Sequence, residues 1–196
     1  MIKAAIFDLN GVFIQSPKLS DRYHEKFSVP ISEFMSALNN ALDKARLPNA
    51  GDSFLFWKPH LEKWGVNFSR KEFFDFWFKA EKENPEMIEL AKKLKGQGIK
   101  IFILSNNFKE RTDYYNANFP FLKEVFEKAY YSWQTGLLKS DVHAYQNLLR
   151  ENELRPEECA YFDDKEENIG LAEGLGMKAF IFKDVKNMEE IINNLT

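Results

Sequence analysis

The sequence predicts an α/β fold: a parallel sheet with helices on both faces, carrying a small all-helical segment inserted after the first strand. Two observations predict the sheet. Short apolar runs recur along the chain, and helical stretches separate them, which is the pattern of βαβ units whose strands are buried on both faces. A third observation predicts the insertion: residues 15–84 break the alternation and read as several helices without a strand.

Taken in chain order, Ile2 to Phe7 is the first strand. Ile99 to Leu104 is the second, Lys128 to Tyr131 a weaker third, Cys159 to Phe162 a fourth that runs into two aspartates, and Ala179 to Phe182 the last. The helix Pro85 to Lys95 carries Met87, Leu90, Ala91 and Leu94 at helical spacing and is stopped by Gly96 and Gly98. Asp141 to Arg150 places Val142, Tyr145, Leu148 and Leu149 on one face, Ile169 to Leu175 precedes Gly176, and Met188 to Leu195 closes the chain. Each helix returns the chain so that the next strand lies parallel. Within the insertion, Trp57, Leu61, Trp64 and Phe68 fall at i, i+4, i+7 and i+11, and Phe73, Phe76, Trp77 and Ala80 make a second stripe. Both stripes read as the core of a helical subdomain. The expected division is a core of residues 1–14 and 85–196 and a cap of residues 15–84. That cap would stand over the carboxyl ends of the strands, where open α/β sheets bind ligands.

Bulk properties exclude several classes. A chain of 196 residues suits one such core with an insertion. The net charge is −3 with both signs mixed, so there is no basic stripe for nucleic acid. No stretch approaches the ~20 apolar residues that span a bilayer, and the apolar start is too short for a signal peptide. The single cysteine, Cys159, rules out an intramolecular disulfide, fits a reducing compartment and reads as buried packing. His24, His60 and His143 are not spaced as metal ligands. The expectation is a cytoplasmic monomer or homodimer with neither a nucleic acid nor a membrane partner.

The polar signals sit where strands end: Asp8 after the first, Ser105-Asn106 after the second, Asp163-Asp164 after the fourth. Lys139 follows Thr135-Gly136-Leu137-Leu138 and precedes a helix. In a parallel sheet these points share one edge. Three carboxylates crowded there are costly unless a cation neutralises them, and oxygen donors without histidine or cysteine point to Mg²⁺. Lys139 adds a second positive charge. The Ser105 hydroxyl and the Asn106 amide can donate to phosphate oxygens, or can instead cap the following helix. A carboxylate is ionised at neutral pH and attacks without a base, provided that cations offset its repulsion from an anionic phosphate. Such a cluster would transfer a phosphoryl group from a small phosphorylated substrate to Asp8, and water would later release it.

These motifs in order resemble the haloacid dehalogenase superfamily over essentially the whole chain. Phe7-Asp8-Leu9-Asn10-Gly11-Val12 resembles its motif I, Leu104-Ser105-Asn106 motif II, Lys139-Ser140-Asp141 motif III, and Phe162-Asp163-Asp164 through Asn168 motif IV. The insertion resembles the type 1 cap of subfamily I. The resemblance implies a Rossmann-like core, Mg²⁺ and phosphatase activity. By that resemblance Asp8 is the nucleophile, and Lys139 is catalytic and binds substrate together with Ser105 and Asn106. The metal is held by the Asp8 side chain, the Asn10 backbone carbonyl and Asp164, with Asp163 acting through water and Asn168 orienting the motif IV loop.

One position departs from the family pattern. Its phosphatases carry a second aspartate where this chain has Asn10; that group protonates the leaving alcohol and then activates the hydrolytic water. An amide does neither. Three readings stand: an enzyme that works without the acid on a substrate with a good leaving group, a residue changed from aspartate or an activity largely lost, and deamidation of Asn10-Gly11 to aspartate. Two other functions also stand, a metal-independent 2-haloacid dehalogenase and a weakened binding protein that keeps the fold. The dehalogenase branch usually has tyrosine at the position of Asn10 and lacks the paired aspartates. Lys18, Arg22 and Lys58 are the cap cations that could meet a substrate anion, with plain surface charge as the alternative; Lys165, Glu166 and Glu167 read as a solvated face.

Overall fold

The computed structural model describes residues 1–195. In chain order the elements are β1 (Ala4–Phe7), β2 (Ile14–Gln15), α1 (Leu19–Phe27), α2 (Ile31–Ala45), α3 (Phe54–Lys63), α4 (Arg70–Phe78) and β3 (Lys82–Glu83). They continue with α5 (Pro85–Gly96), β4 (Lys100–Ser105), α6 (Lys109–Asn118), α7 (Phe121–Glu124), β5 (Lys128–Tyr131), α8 (Ser132–Thr135) and α9 (Val142–Glu151). The chain ends with β6 (Cys159–Asp163), α10 (Glu166–Gly174), β7 (Lys178–Ile181) and α11 (Val185–Leu195).

Five strands form one sheet in the order β5-β4-β1-β6-β7, and all four pairings are parallel. This is the parallel α/β arrangement that the alternation predicts, and the Rossmann-like core that the family resemblance implies. The order reverses around β1, so β4 and β6 flank it and their carboxyl ends meet beside Asp8. Side-chain alternation explains why both faces must be covered. Ala5, Phe7, Ile101, Ile103 and Phe162 face one buried cluster with α5, α7 and α11, while Ala4, Ile6, Phe102, Leu104 and Tyr161 face another with α9 and α10.

A third cluster belongs to the helical segment, built from Tyr23, Phe34, Trp57, Leu61, Phe73 and Trp77 with Phe108 of the sheet's own loop. Aromatic side chains dominate it because four short helices must bury a large apolar area over few residues. The segment is tied to the sheet edge at defined points. The Ser53 N–H donates to Glu110 Oε1 (2.9 Å), and Trp77 packs on Phe108 at 5.3 Å between ring centroids.

The structure corrects several expected details. Residues 15–84 are not strand-free: β2 and β3 pair antiparallel where the chain leaves and re-enters the sheet domain. Lys82 and Glu83 are charged and exposed, so apolar patterning cannot reveal them. The Trp57 stripe is not one helix either, because α3 stops at Lys63 and Gly65 turns the chain at φ +67°; Trp64 and Phe68 still pack against the same cluster. Ala80 lies beyond the end of α4. The last strand sits one residue earlier than expected, since Phe182 gives only a single bond to Asp163 O (2.8 Å).

Candidate active site

Asp8 stands at the end of β1, where its backbone N–H still donates to Phe162 O (2.9 Å). The strand thus aims its side chain over the sheet's carboxyl edge. The carboxylate Oδ1 accepts from the Leu9 N–H (2.7 Å) and from Lys139 Nζ (3.0 Å). Lys139 reaches Asp8 because Gly136 turns left-handed after α8 (φ +75°) and the Lys139 N–H donates to Asn106 Oδ1 (2.9 Å). Its ammonium is 5% exposed and also donates to Asp163 Oδ2 (2.6 Å). Burial alone would lower the lysine's pKa; the carboxylates of Asp8 and Asp163 outweigh it and hold the ammonium above its ordinary range.

Asp163 is fully buried and receives four donors: Lys139 and Tyr161 Oη (2.5 Å) on Oδ2, the Lys165 N–H (3.0 Å) and Asn168 Nδ2 (2.9 Å) on Oδ1. A carboxylate offers about four acceptor directions, so this one is committed to holding Lys139 and the following loop. Burial pushes its carboxyl up, and Lys139 with the other donors overcomes that and leaves it below the usual carboxylate range. Asp164 is the exposed member; burial of its carboxyl, then the charges of Asp8 and Asp163, push it up. Oxygens of the three carboxylates lie within 4.8 Å of one another. Gly11 makes room for them: its φ is +89°, and a Cβ there would stand 3.2 Å from Asp164 Oδ2.

Asn10 has both ends of its amide engaged. The Phe108 N–H fixes Asn107 Oδ1 (3.0 Å), which turns Asn107 Nδ2 towards Asn10 Oδ1 (3.2 Å). Asn10 Nδ2 then donates to Tyr115 Oη (2.6 Å). Tyr115 is deeply buried, and burial foremost keeps its phenol protonated far above the ordinary range.

Asp8, Asn10, Ser105, Asn106, Lys139 and Asp164 line one pocket of about 240 Å³, whereas Asp163, also expected at the metal, is not among its lining residues and meets Asp8 and Asp164 only in the carboxylate cluster. Capping does not account for Ser105 or Asn106, because α6 has Phe108 at its N-cap and no side-chain cap. None of His24, His60 and His143 lines the pocket. The expected cap cations are elsewhere: Lys18 is exposed, Arg22 donates to the carbonyls of Phe76 and Trp77, and Lys58 pairs with Glu62 (3.8 Å). Two arginines that sequence reasoning missed line the pocket instead, Arg46 at the end of α2 and Arg111 on α6. Arg111 Nε donates to Glu81 Oε1 (3.0 Å), and its guanidinium packs between Trp77 and Tyr115. Nothing in the spacing marks Arg46, which follows an ordinary amphipathic helix. Nor does apolar periodicity mark α6, where Thr112 and Tyr115 alone are buried.

Comparison with known proteins follows the same lines. The family model for haloacid dehalogenase-like hydrolases matches residues 2–176. Bifunctional epoxide hydrolase 2 of Sus scrofa is 27% identical over 208 residues, covering 93% of this chain and 37% of that protein. The sesquiterpene phosphatase astK of Aspergillus oryzae is 27% identical over 92 residues, 46% of each chain. The matched segments cover less than half the length of these curated relatives. A family enzyme of Bacteroides thetaiotaomicron, solved with magnesium and inorganic phosphate, superposes with a TM-score of 0.77 at 22% identity, over 93% of this chain and 95% of that one. At that identity the likeness is one of fold.

Proposed function

Because this chain belongs to the haloacid dehalogenase-like hydrolases, we propose that it is a Mg²⁺-dependent phosphatase acting on a small phosphorylated substrate through an aspartyl-phosphate on Asp8. The observation that carries this reading is the Asp8–Lys139 contact of 3.0 Å within an all-oxygen cluster. The donor set suits Mg²⁺: oxygen atoms only, from carboxylates and a backbone carbonyl, with Asp164 exposed at the rim. Asp8, the Asn10 carbonyl and Asp164 would hold the ion, and Asp163 would serve mainly through Lys139. When bound, Mg²⁺ supplies charge neutralisation for the incoming phosphate. Two relatives support the reading, the fungal phosphatase and the Bacteroides enzyme with its magnesium and phosphate.

Asp8 attacks phosphorus, and the leaving group departs on the opposite side. Lys139, Ser105 and Asn106 hold the phosphoryl oxygens during transfer. Residues 15–84 act as a cap that walls the pocket and excludes water. Asn10 positions the loop but moves no proton, so the enzyme suits leaving groups that depart as anions. Cytoplasmic placement accords with the lone buried thiol of Cys159, which burial foremost pushes up to about 12 and so keeps protonated. Among the described residues no helix is long and apolar enough to cross a membrane.

Hydrolysis of p-nitrophenyl phosphate tests the reading. We expect turnover that needs Mg²⁺, stops with a chelator and is lost in Asp8→Asn. Equal rates in parent and Asp8→Asn would mean a binding protein instead. Chelator-resistant release of halide from 2-chloropropionate would mean a dehalogenase.

A further inference from the structure

Arg46 poses a problem that the phosphatase reading leaves open. Its Nε is buried without a hydrogen-bond partner, and it forms no ion pair among the described residues. Burial foremost, then the nearby charge of Arg111, disfavours its guanidinium, and the charges of Asp43 and Asp8 offset that only in part. Half-buried, with its Nε unpaired and only the through-space charges of Asp43 and Asp8 to offset it, this cation is better satisfied when an anion arrives to meet it. The side chain lines the Asp8 pocket, and its loop is braced where Pro48 Cγ lies 3.3 Å from the point a Cβ on Gly136 would occupy. Gly136 leads directly to Lys139, so the braced loop keeps Arg46 in register with the site.

Position matters as much as charge. Lys139 and Asp163 flank Asp8 from the sheet. Arg46 comes from the helical segment, and Arg111 from the helix it packs on. In an in-line displacement the leaving group points away from Asp8 and towards that segment. Asn10 supplies the second, independent constraint. Its amide is locked by Asn107 and Tyr115 and gives no proton to a departing oxygen. The leaving group must therefore depart as a stable anion, and the side it departs towards carries two guanidinium groups.

We propose that the substrate is an organic diphosphate, whose terminal phosphoryl group passes to Asp8 while Arg46 and Arg111 hold the inner phosphate as the leaving group. This rests on the phosphatase reading and names its substrate class. The Asp8 carboxylate oxygen forms a bond to the terminal phosphorus, and the bond from that phosphorus to the bridging oxygen breaks. The electron pair stays on the bridging oxygen, releasing an organic monophosphate anion with no proton transferred. Water then attacks the aspartyl-phosphate, the bond between phosphorus and Asp8 breaks, and inorganic phosphate leaves with one proton of the water while the other goes to solvent. Planar guanidinium groups match phosphate oxygens two at a time, which makes arginine apt for this hold.

Methyl diphosphate, p-nitrophenyl phosphate and glycerol 2-phosphate separate the possibilities, assayed with Mg²⁺ on the parent, Arg46→Gln and Asn10→Asp. We expect the parent to prefer methyl diphosphate to glycerol 2-phosphate in kcat/KM. Arg46→Gln should lower methyl diphosphate turnover about tenfold or more beyond any loss on p-nitrophenyl phosphate, whose leaving group carries no second phosphate. Asn10→Asp should raise glycerol 2-phosphate turnover, up to ~10²–10⁴-fold, and leave the preference of Arg46 for methyl diphosphate in place. In Asp8→Asn, which binds without reacting, methyl diphosphate should raise the melting temperature and Arg46→Gln should remove that rise. Equal losses on both good-leaving-group substrates, or a parent that prefers glycerol 2-phosphate, would overturn the proposal while sparing the phosphatase reading. No Asp8-dependent turnover of p-nitrophenyl phosphate would overturn both.

Discussion

Lys139 shows how one side chain is specified by residues far away in sequence: Asn106 holds its backbone, while Asp8 and Asp163 share its ammonium. Another such contact lies at the opposite end of the strands. Glu158 Oε1 meets Lys3 Nζ at 2.8 Å and Arg155 Nη2 at 2.5 Å, joining the starts of β1 and β6. The hydrogen bond from Arg155, then that from Lys3, hold its carboxyl down at about 2. A depressed carboxyl adds stability in full above the ordinary glutamate value of about 4.3 and loses it as pH falls through the folded value. Glu158→Gln should therefore lower the melting temperature at neutral pH, and the gap to the parent should close between about pH 4 and pH 2. A gap that is constant across that range would show that the contact contributes nothing through charge. At this scale the sequence was legible where a polar residue directly follows a strand, as with Asp8, Ser105 and Asp163-Asp164. It was silent on Arg46 and Arg111, because a lone arginine near a helix looks the same whether it meets solvent or a pocket.

Elements were legible in proportion to their apolar contrast. The start of α5 was legible at Pro85, and the structure adds the cap before it: Asn84 Oδ1 accepts from the Met87 N–H while Pro85 needs no acceptor. Helix α6 carries too little apolar contrast to be read, and β3 is polar altogether. Asn84 does more than cap. Its Nδ2 donates to Val12 O (3.0 Å) and its N–H to Phe13 O (2.8 Å), so one residue clasps the chain where it leaves for the helical segment and where it returns. Asn84→Ala should destabilise the protein by about 1–2 kcal/mol from the lost cap, with a further loss from the orphaned Val12 carbonyl. Urea unfolding measures it. Asn84→Asp keeps the acceptor and removes the donor, and should recover part of the loss; a cost below about 0.3 kcal/mol for alanine would mean the clasp is redundant.

On the scale of the whole molecule, three buried clusters share one chain, and their separation determines how it opens. Two lie on opposite faces of the sheet and are locked together by every strand that contributes to both. The third, in the helical segment, meets the sheet domain through Phe108 and Tyr114, which packs on Phe78 at 5.3 Å, and through the contacts of Glu81 with Arg111 and Ser53 with Glu110. The sequence leads one to expect a segment of residues 15–84 from its break in the alternation of strands and helices, but not the aromatic interlock at the seam, since Phe108 and Tyr114 lie outside that segment. A molecule with so narrow a seam should lose its helical segment before its sheet. Trp57 is 1% exposed at the centre of the third cluster, and truncating a buried tryptophan costs about 3–5 kcal/mol. We expect Trp57→Ala to speed amide hydrogen exchange across α2 to α4 while β1, β4 and β6 keep the protection of the parent. Exchange accelerated equally in the strands would show instead that the segment and the sheet fold as one unit. The functional stake is Arg46, which sits on the segment that opens: in Trp57→Ala the turnover of diphosphates should fall with the protection of α2, because the side chain proposed to meet their leaving group would no longer be held over Asp8.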